Sequence, residues 1–266
     1  MGIVEVERRS DAVTVVTLNR PESLNALSFG MVEEIHRVLA EIEADNSCRV
    51  VVLTGAGRGF CSGLDLKNLG SAPTAVGLRG PAAGMRSQEY IASLVTRLHR
   101  LPQPVIAAVN GPAFGGGLAI AAASDIRIAA ESARFGVQFI KIGVSGCDIG
   151  ISYLLPRLVG AARATELIMT AREFQAPEAE RIGFVTQVVP DAELVPTALG
   201  IADTLNSYSP FALAMTKQVL ATNIAAPSLE AAIHLENRTQ ILAGTGGEVA
   251  EASAAFIEKR APRWTQ

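Results

Sequence analysis

Residues 104–120 read PVIAAVNGPAFGGGLAI, and the reading of the fold turns on how that run divides. Residues 105–109 are few, apolar and β-rich, as a strand buried on both faces should be. Asn110-Gly111-Pro112 is turn punctuation, and Gly115-Gly116-Gly117 ahead of small aliphatics marks a helix start. The order is strand, turn, helix. Three glycines cost a helix start roughly 1 kcal/mol each against alanine. What they provide is bare main chain, whose N–H groups at a helix N-terminus can closely approach an anionic oxygen. That is an oxyanion hole in outline, although a tight helix–strand contact that only glycine fits would account for the same residues equally well.

Upstream, residues 4–8 and 13–18 read as two strands around a hairpin signal at Ser10-Asp11. Ser28 is placed to cap a helix over 29–44, where Met31, Ile35, Val38, Leu39 and Ile42 recur at helical spacing. Residues 50–54 form a continuous apolar strand, so strand, helix and strand argue for a largely parallel sheet. The glycines that follow match no phosphate loop: Phe60 stands where G-x-G-x-x-G needs its third glycine, and G-x-x-x-x-G-K-[ST] is absent. Instead Gly59 to Leu66 form a second loop of small residues beyond a strand end, where open α/β sheets gather ligands. The two loops are expected to face one ligand from two sides.

Residues 68–85 carry no period and read as a mobile loop near a site. A helix over 87–99, a helix over 118–123, strands over 125–129, 134–136 and 184–189, and helices over 151–159 and 161–170 complete the first part. From residue 191 onward the signals are helical. The chain thus divides into an α/β part, 1–200, and a helical part, 201–266, expected to pack on the first part or on another subunit.

The 266 residues are 49% hydrophobic and 18% charged, enough to bury a large core. A net charge of −3 offers no general affinity for nucleic acid or acidic membrane. No apolar run is long enough to span a bilayer, and residues 1–5 lack a signal-peptide pattern, which predicts a cytoplasmic protein. Cys48, Cys61 and Cys147 form no C-x-x-C pair, arguing against a disulfide framework or structural zinc. His36, His99 and His234 lie far apart in helical patterns and read as surface or core residues.

Six segments together resemble the crotonase, or enoyl-CoA hydratase/isomerase, superfamily: Asn25-Ala26-Leu27, GFCSGLDL at 59–66, NGPAFGGG at 110–117, SDIRIA at 124–129, SARFG at 132–136 and AAFIEKR at 254–260. The resemblance spans essentially the whole chain. It implies a spiral of ββα units, a C-terminal helical region that builds homotrimers and commonly hexamers, and an acyl-CoA thioester as partner, with coenzyme A entering as part of the substrate and no separate cofactor. It also implies that the backbone N–H groups of Leu64 and Gly116 form the oxyanion hole. The CoA portion is expected along Asn25, Ala26, Leu27 and the loop of Leu64, Asp65, Leu66 and Lys67, and Ser62, Gly63, Gly115 and Phe139 are further substrate-binding candidates. Lys67, Lys259 and Arg260 are candidates for the phosphates, the last two from a neighbouring subunit.

A thioester carbonyl held by two N–H groups can carry the charge of an enolate, each donor being worth about 3–4 kcal/mol. A carboxylate must then move the proton, contributing roughly 10²–10⁴ in rate. In the hydratases that this chain resembles, two glutamates do so, and here their places hold Ala119 and Phe139. Asp148 resembles an aspartate of the dienoyl-CoA isomerase branch and is the candidate acid/base, with helix capping as its alternative role. Asp65 and Asp125 read as loop-fixing residues. Glu89 and Cys147 are lesser candidates. Three readings follow: an isomerase-like or atypical hydratase enzyme using Asp148, a non-catalytic acyl-CoA-binding protein, or a serine hydrolase of the related Clp-type fold. The last lacks both a G-x-S-x-G elbow and a histidine near a candidate serine.

Overall fold

The computed structural model describes residues 2–10 and 12–264. Asp11, half of the hairpin signal, lies outside them. Strands β1 (Val4–Arg8) and β2 (Val13–Leu18) pair antiparallel and lead to helix α1 (Phe29–Ala44), capped by Ser28. Then come β3 (Val50–Gly55), α2 (Gly80–Arg100), β4 (Val105–Val109), β5 (Ala113–Phe114), α3 (Gly116–Ala123), β6 (Ile126–Ala130) and β7 (Arg134–Gly136). Helices α4 (Ile151–Val159) and α5 (Ala161–Thr170), strand β8 (Phe174–Gln175), helix α6 (Ala176–Arg181) and strand β9 (Gln187–Val189) follow, and α7 (Leu194–Asn206), α8 (Pro210–Asn223), α9 (Leu229–Thr245) and α10 (Glu248–Glu258) end the chain.

The main sheet has the order β1-β2-β3-β4-β6-β9, parallel from β2 onward. A second sheet, β5-β7-β8, is extended by a bridge between Cys61 and Ala113. Strand β5 follows β4 and β7 follows β6, each a short piece of chain laid on the second sheet before the next helix, whereas β8 comes after α4 and α5 and pairs antiparallel with β7. The alternation in the first two pairs is the ββα spiral.

Alternation within the strands splits the interior in two. Val51, Leu53, Val105, Ala107 and Val109 meet α1, α2 and α3 on one face. Val50, Val52, Ile106, Ala108 and Ile128 meet Leu194, Ala198 and Ala202 of α7 on the other. The division expected at residue 200 therefore falls inside a helix that covers the sheet. Beyond it the character changes, for α8 and α9 bury no residue and α10 buries only Ala255. Lys217 fastens α8 to the body, its Nζ donating to Gln103 O at 2.9 Å and meeting Asp125 Oδ2 at 2.7 Å. Asp125 Oδ2 also accepts from Val105 N at 2.7 Å, so this aspartate is spent on structure.

Two expectations are corrected, and short elements appear that were not expected. Helix α2 begins at Gly80, not near 87: Pro81 suits a first turn, but the opening turns are exposed and show no apolar period. The last strand is only Gln187–Val189, because Phe184 folds into an aromatic cluster, 5.2 Å from Phe135 and 5.9 Å from Phe174 between ring centres. Strand β8 and helix α6 give no sequence signal, being two and six residues long.

Candidate active site

A cavity of about 430 Å³ lies where the two glycine-bearing loops meet the segment after β7. Leu27 N donates to Gly63 O at 2.7 Å, and Asp65 N donates to Leu27 O at 3.0 Å. In this parallel bridge Leu27 takes the groups on either side of Leu64, and the N–H of Leu64 itself points the other way. On the second loop, Gly115 N is spent on Gly136 O at 2.9 Å, whereas Gly116 opens α3. Among the described residues, neither Leu64 N–H nor Gly116 N–H donates to a protein acceptor, and both residues line the cavity. The loops touch, since a Cβ at Gly63 would lie 2.8 Å from Phe114 O and 3.5 Å from Gly116 N.

The loops are held by residues that do not line the cavity. Asn25 is fully buried; its Nδ2 donates to Gly59 O at 2.7 Å and Ala56 O at 3.0 Å, and its Oδ1 accepts from Arg20 N at 2.8 Å. Ala26 is buried and its carbonyl accepts from Arg20 at 2.7 Å. Asp65 pairs with Arg20 at 2.8 Å and accepts from Asn68 N at 2.8 Å and Lys67 N at 3.2 Å. The Arg20 hydrogen bond, followed by that of Asn68 N–H, holds the Asp65 carboxyl below its ordinary value. This fixes the loop that presents Leu64.

Leu64, Gly116, Asp148, Leu27, Ser62, Gly63, Leu66, Gly115 and Phe139 are brought together around the cavity. Asn25, Ala26, Asp65, Lys67 and Lys259 are not among its lining residues. Lys67 and Lys259 are exposed, and Arg260 is engaged by Glu251 at 2.6 Å. Ala119 is buried inside α3 and is not among the lining residues, whereas the Phe139 ring packs 3.4 Å from the Cβ position of Gly115. Glu89 lies outside the lining and pairs with Arg86 at 3.0 Å. No histidine lines the cavity; His36 faces Tyr90 O at 3.2 Å and Ser93 Oγ at 3.1 Å.

Among the described residues, Asp148 is the sole carboxylate that lines the cavity. Its side chain does not cap α4, whose N-cap is Gly150 without a side-chain bond. Its Oδ1 accepts from Ile149 N at 2.7 Å and from Gln88 Nε2. Ile149 reaches across to the Gly115–Gly117 loop, its Cδ1 3.4 Å from the Cβ position of Gly116. Cys147 also lines the cavity, while Cys61 is wholly buried and its thiol is pushed up to about 12 by desolvation. Gln88, Gln138 and Lys141 are lining residues that sequence reading did not single out. Gln88 was hidden because the α2 period becomes visible only near its position.

Two unpartnered main-chain donors beside one carboxylate, in a cavity walled by apolar side chains, define a protein that can hold charge on a substrate oxygen while a proton moves. The Enoyl-CoA hydratase/isomerase family model matches residues 8–266. A Mycobacterium bovis protein named "Probable enoyl-CoA hydratase echA12" is 43% identical over 266 residues, covering 100% of this chain and 93% of that protein. The 1,2-epoxyphenylacetyl-CoA isomerase of Escherichia coli is 40% identical, covering 95% of each. The crystal structure of a "probable enoyl-CoA hydratase/isomerase" from Mycobacterium abscessus superposes with a TM-score of 0.93 at 38% identity, covering 99% of this chain and 98% of that one. The chain belongs to the enoyl-CoA hydratase/isomerase family and is an enzyme of that family.

Proposed function

We propose that the enzyme acts on an unsaturated acyl-CoA thioester, holding the thioester oxygen with Leu64 N–H and Gly116 N–H and moving a proton with Asp148. The observation that carries this reading is that, among the described residues, Asp148 is the sole carboxylate lining the cavity that also receives both free donors. The named activities of the relatives, hydratase and CoA-thioester isomerase, agree with a thioester ligand. Coenzyme A enters as part of the substrate, and the step calls for no further group.

Hydration needs one group to activate water and another to deliver a proton, whereas shifting a double bond needs only one group to take a proton and return it. One carboxylate therefore favours isomerisation over ordinary hydration. Deuterium uptake from heavy water into 2-enoyl, 3-enoyl and dienoyl thioesters, followed by mass spectrometry, tests this. Wild type is expected to exchange, with Asp148→Asn and Asp148→Ala slower by about 10²–10⁴. Unchanged exchange in both variants removes Asp148 from the mechanism. Tight acyl-CoA binding with no exchange on any thioester supports the binding-protein reading, which the replacement of both hydratase glutamates favours.

A further inference from the structure

Gln88 reaches Asp148 from a different element. It lies on an exposed stretch of α2, lines the cavity and donates Nε2–H to Asp148 Oδ1. The second donor to that same oxygen is Ile149 N–H at 2.7 Å. Ile149 has φ +36°, a left-handed conformation that a β-branched side chain rarely adopts, and it stands between Asp148 and Gly150, whose φ is +85°. Both donors converge on Oδ1. Among the described residues, Oδ2 accepts from no protein donor.

We propose that Gln88 is a positioning residue: with Ile149 N–H it fixes Oδ1, so that Oδ2 of Asp148 is the oxygen that takes a proton from the bound thioester and returns it. The inference rests on the role assigned to Asp148 above. In a 3-enoyl thioester Oδ2 takes the proton from the α-carbon, and the C–H electron pair enters the enolate. The resulting charge rests on the thioester oxygen at Leu64 N–H and Gly116 N–H. Return of the proton to the γ-carbon moves the double bond to the 2-position and restores the carboxylate, with no other reactant consumed.

A neutral amide suits this task. Arg20 at Asp65 sets a full positive charge against its carboxylate and holds it ionised, whereas Gln88 orients Asp148 without cancelling its charge. The donor must also come from outside the loop. Backbone alone supplies one bond, about which the carboxylate could still turn, and the second bond fixes which oxygen faces the cavity.

Wild type, Gln88→Leu, Gln88→Met, Asp148→Asn and the double variant Gln88→Leu/Asp148→Asn are compared in deuterium exchange on a 3-enoyl thioester, measured from subsaturating to saturating concentration. Loss of one hydrogen bond to a charged group lowers the saturated rate about 10–100-fold in both Gln88 variants. KM and the thermal midpoint stay near wild type. In the Asp148→Asn background the same substitution produces no further loss, because the group it positions is gone. Equal fold-losses in the two backgrounds, or a loss confined to KM or accompanied by a lowered thermal midpoint, would overturn the positioning role. Full activity in Gln88→Leu with inactive Asp148→Asn overturns the Gln88 role alone. Exchange by Asp148→Asn at the wild-type rate, or none by wild type, overturns the assignment of Asp148 and this inference with it.

Discussion

Gly115, Gly116 and Gly117 stand side by side for three different reasons. Gly115 adopts φ +50° and ψ −112°, which a side chain would oppose. A Cβ on Gly117 would lie 2.0 Å from Cys61 O, so this glycine serves packing between the two loops. A Cβ on Gly116 would meet the movable end of Leu27 at 2.8 Å, beside the cavity. Gly117→Ala is therefore expected to cost about 1–3 kcal/mol or more of stability, as overpacking does, measured by urea unfolding. Gly116→Val is expected to fold but to bind an enolate analogue about 10²–10³ more weakly, as when one oxyanion donor is lost; wild-type binding by a folded variant would refute the donor assignment. Asp65 gives a third case. Its folded carboxyl is held below the ordinary value, first by Arg20, so its contribution is complete above the unfolded pKa of about 3.9 and fades as pH falls through the lowered folded value. Asp65→Asn should lose about 1.5–3 kcal/mol at pH 7, the worth of hydrogen bonds to a charged group. The deficit should shrink in unfolding curves taken below about pH 4; a deficit independent of pH would show that charge is not the cause.

At the scale of elements, the strands of the parallel sheet were legible because burial on both faces leaves an uninterrupted apolar run, as at Val50–Gly55 and Val105–Val109. Helix α1 was legible from its Ser28 cap and periodic stripe. What escaped had no period to show: the first turns of α2 have no apolar face, and β5 and β8 are two residues long. The site divides in the same way. Leu64, Gly116 and Asp148 sit in motifs, whereas Gln88 joins them only through the packing of α2 against the chain 60 residues on. Asn25 lies at the motif but acts from behind, bonding to Ala56 and Gly59 carbonyls rather than facing the cavity. Lys217 makes an element-level prediction. Burial lowers its pKa against the opposing pull of Asp125, and its ammonium group joins α8 to the main-chain oxygens of Leu98 and Gln103. Lys217→Ala removes a buried ammonium group and its hydrogen bonds while leaving Asp125 open to solvent, a loss of about 1.5–3 kcal/mol. Hydrogen exchange should show α8 losing protection while α7, seated on the sheet through Leu194, Ala198 and Ala202, keeps its own. Equal loss in both helices would mean that α8 is not separately fastened.

At the scale of the whole molecule, the chain encloses its sheet with α7 and then continues for more than fifty residues that cover little of it. Helices α8 and α9 bury no residue, and Leu220, Ile224, Leu229, Ile241, Phe256 and Ile257 are each at least 60% exposed. Scattered exposed apolar residues need no explanation, but this many on consecutive helices form a surface of the kind that subunit contacts cover. We propose a homotrimer or a hexamer built from these helices. Burying one large aliphatic or aromatic side chain fully is worth about 1.5–3 kcal/mol, so a few such residues per subunit can offset part of the cost of association. Sedimentation equilibrium at micromolar concentration should give three or six times the 27.9 kDa chain mass. The variant Phe256→Asp/Ile257→Asp should shift that mass toward the single chain while the sheet, distant from α10 in the core packing, retains its far-ultraviolet signal. A wild-type chain that sediments as one subunit across this range would remove the assembly role of α8–α10 and, with it, any phosphate contact supplied by Lys259 from a neighbouring subunit.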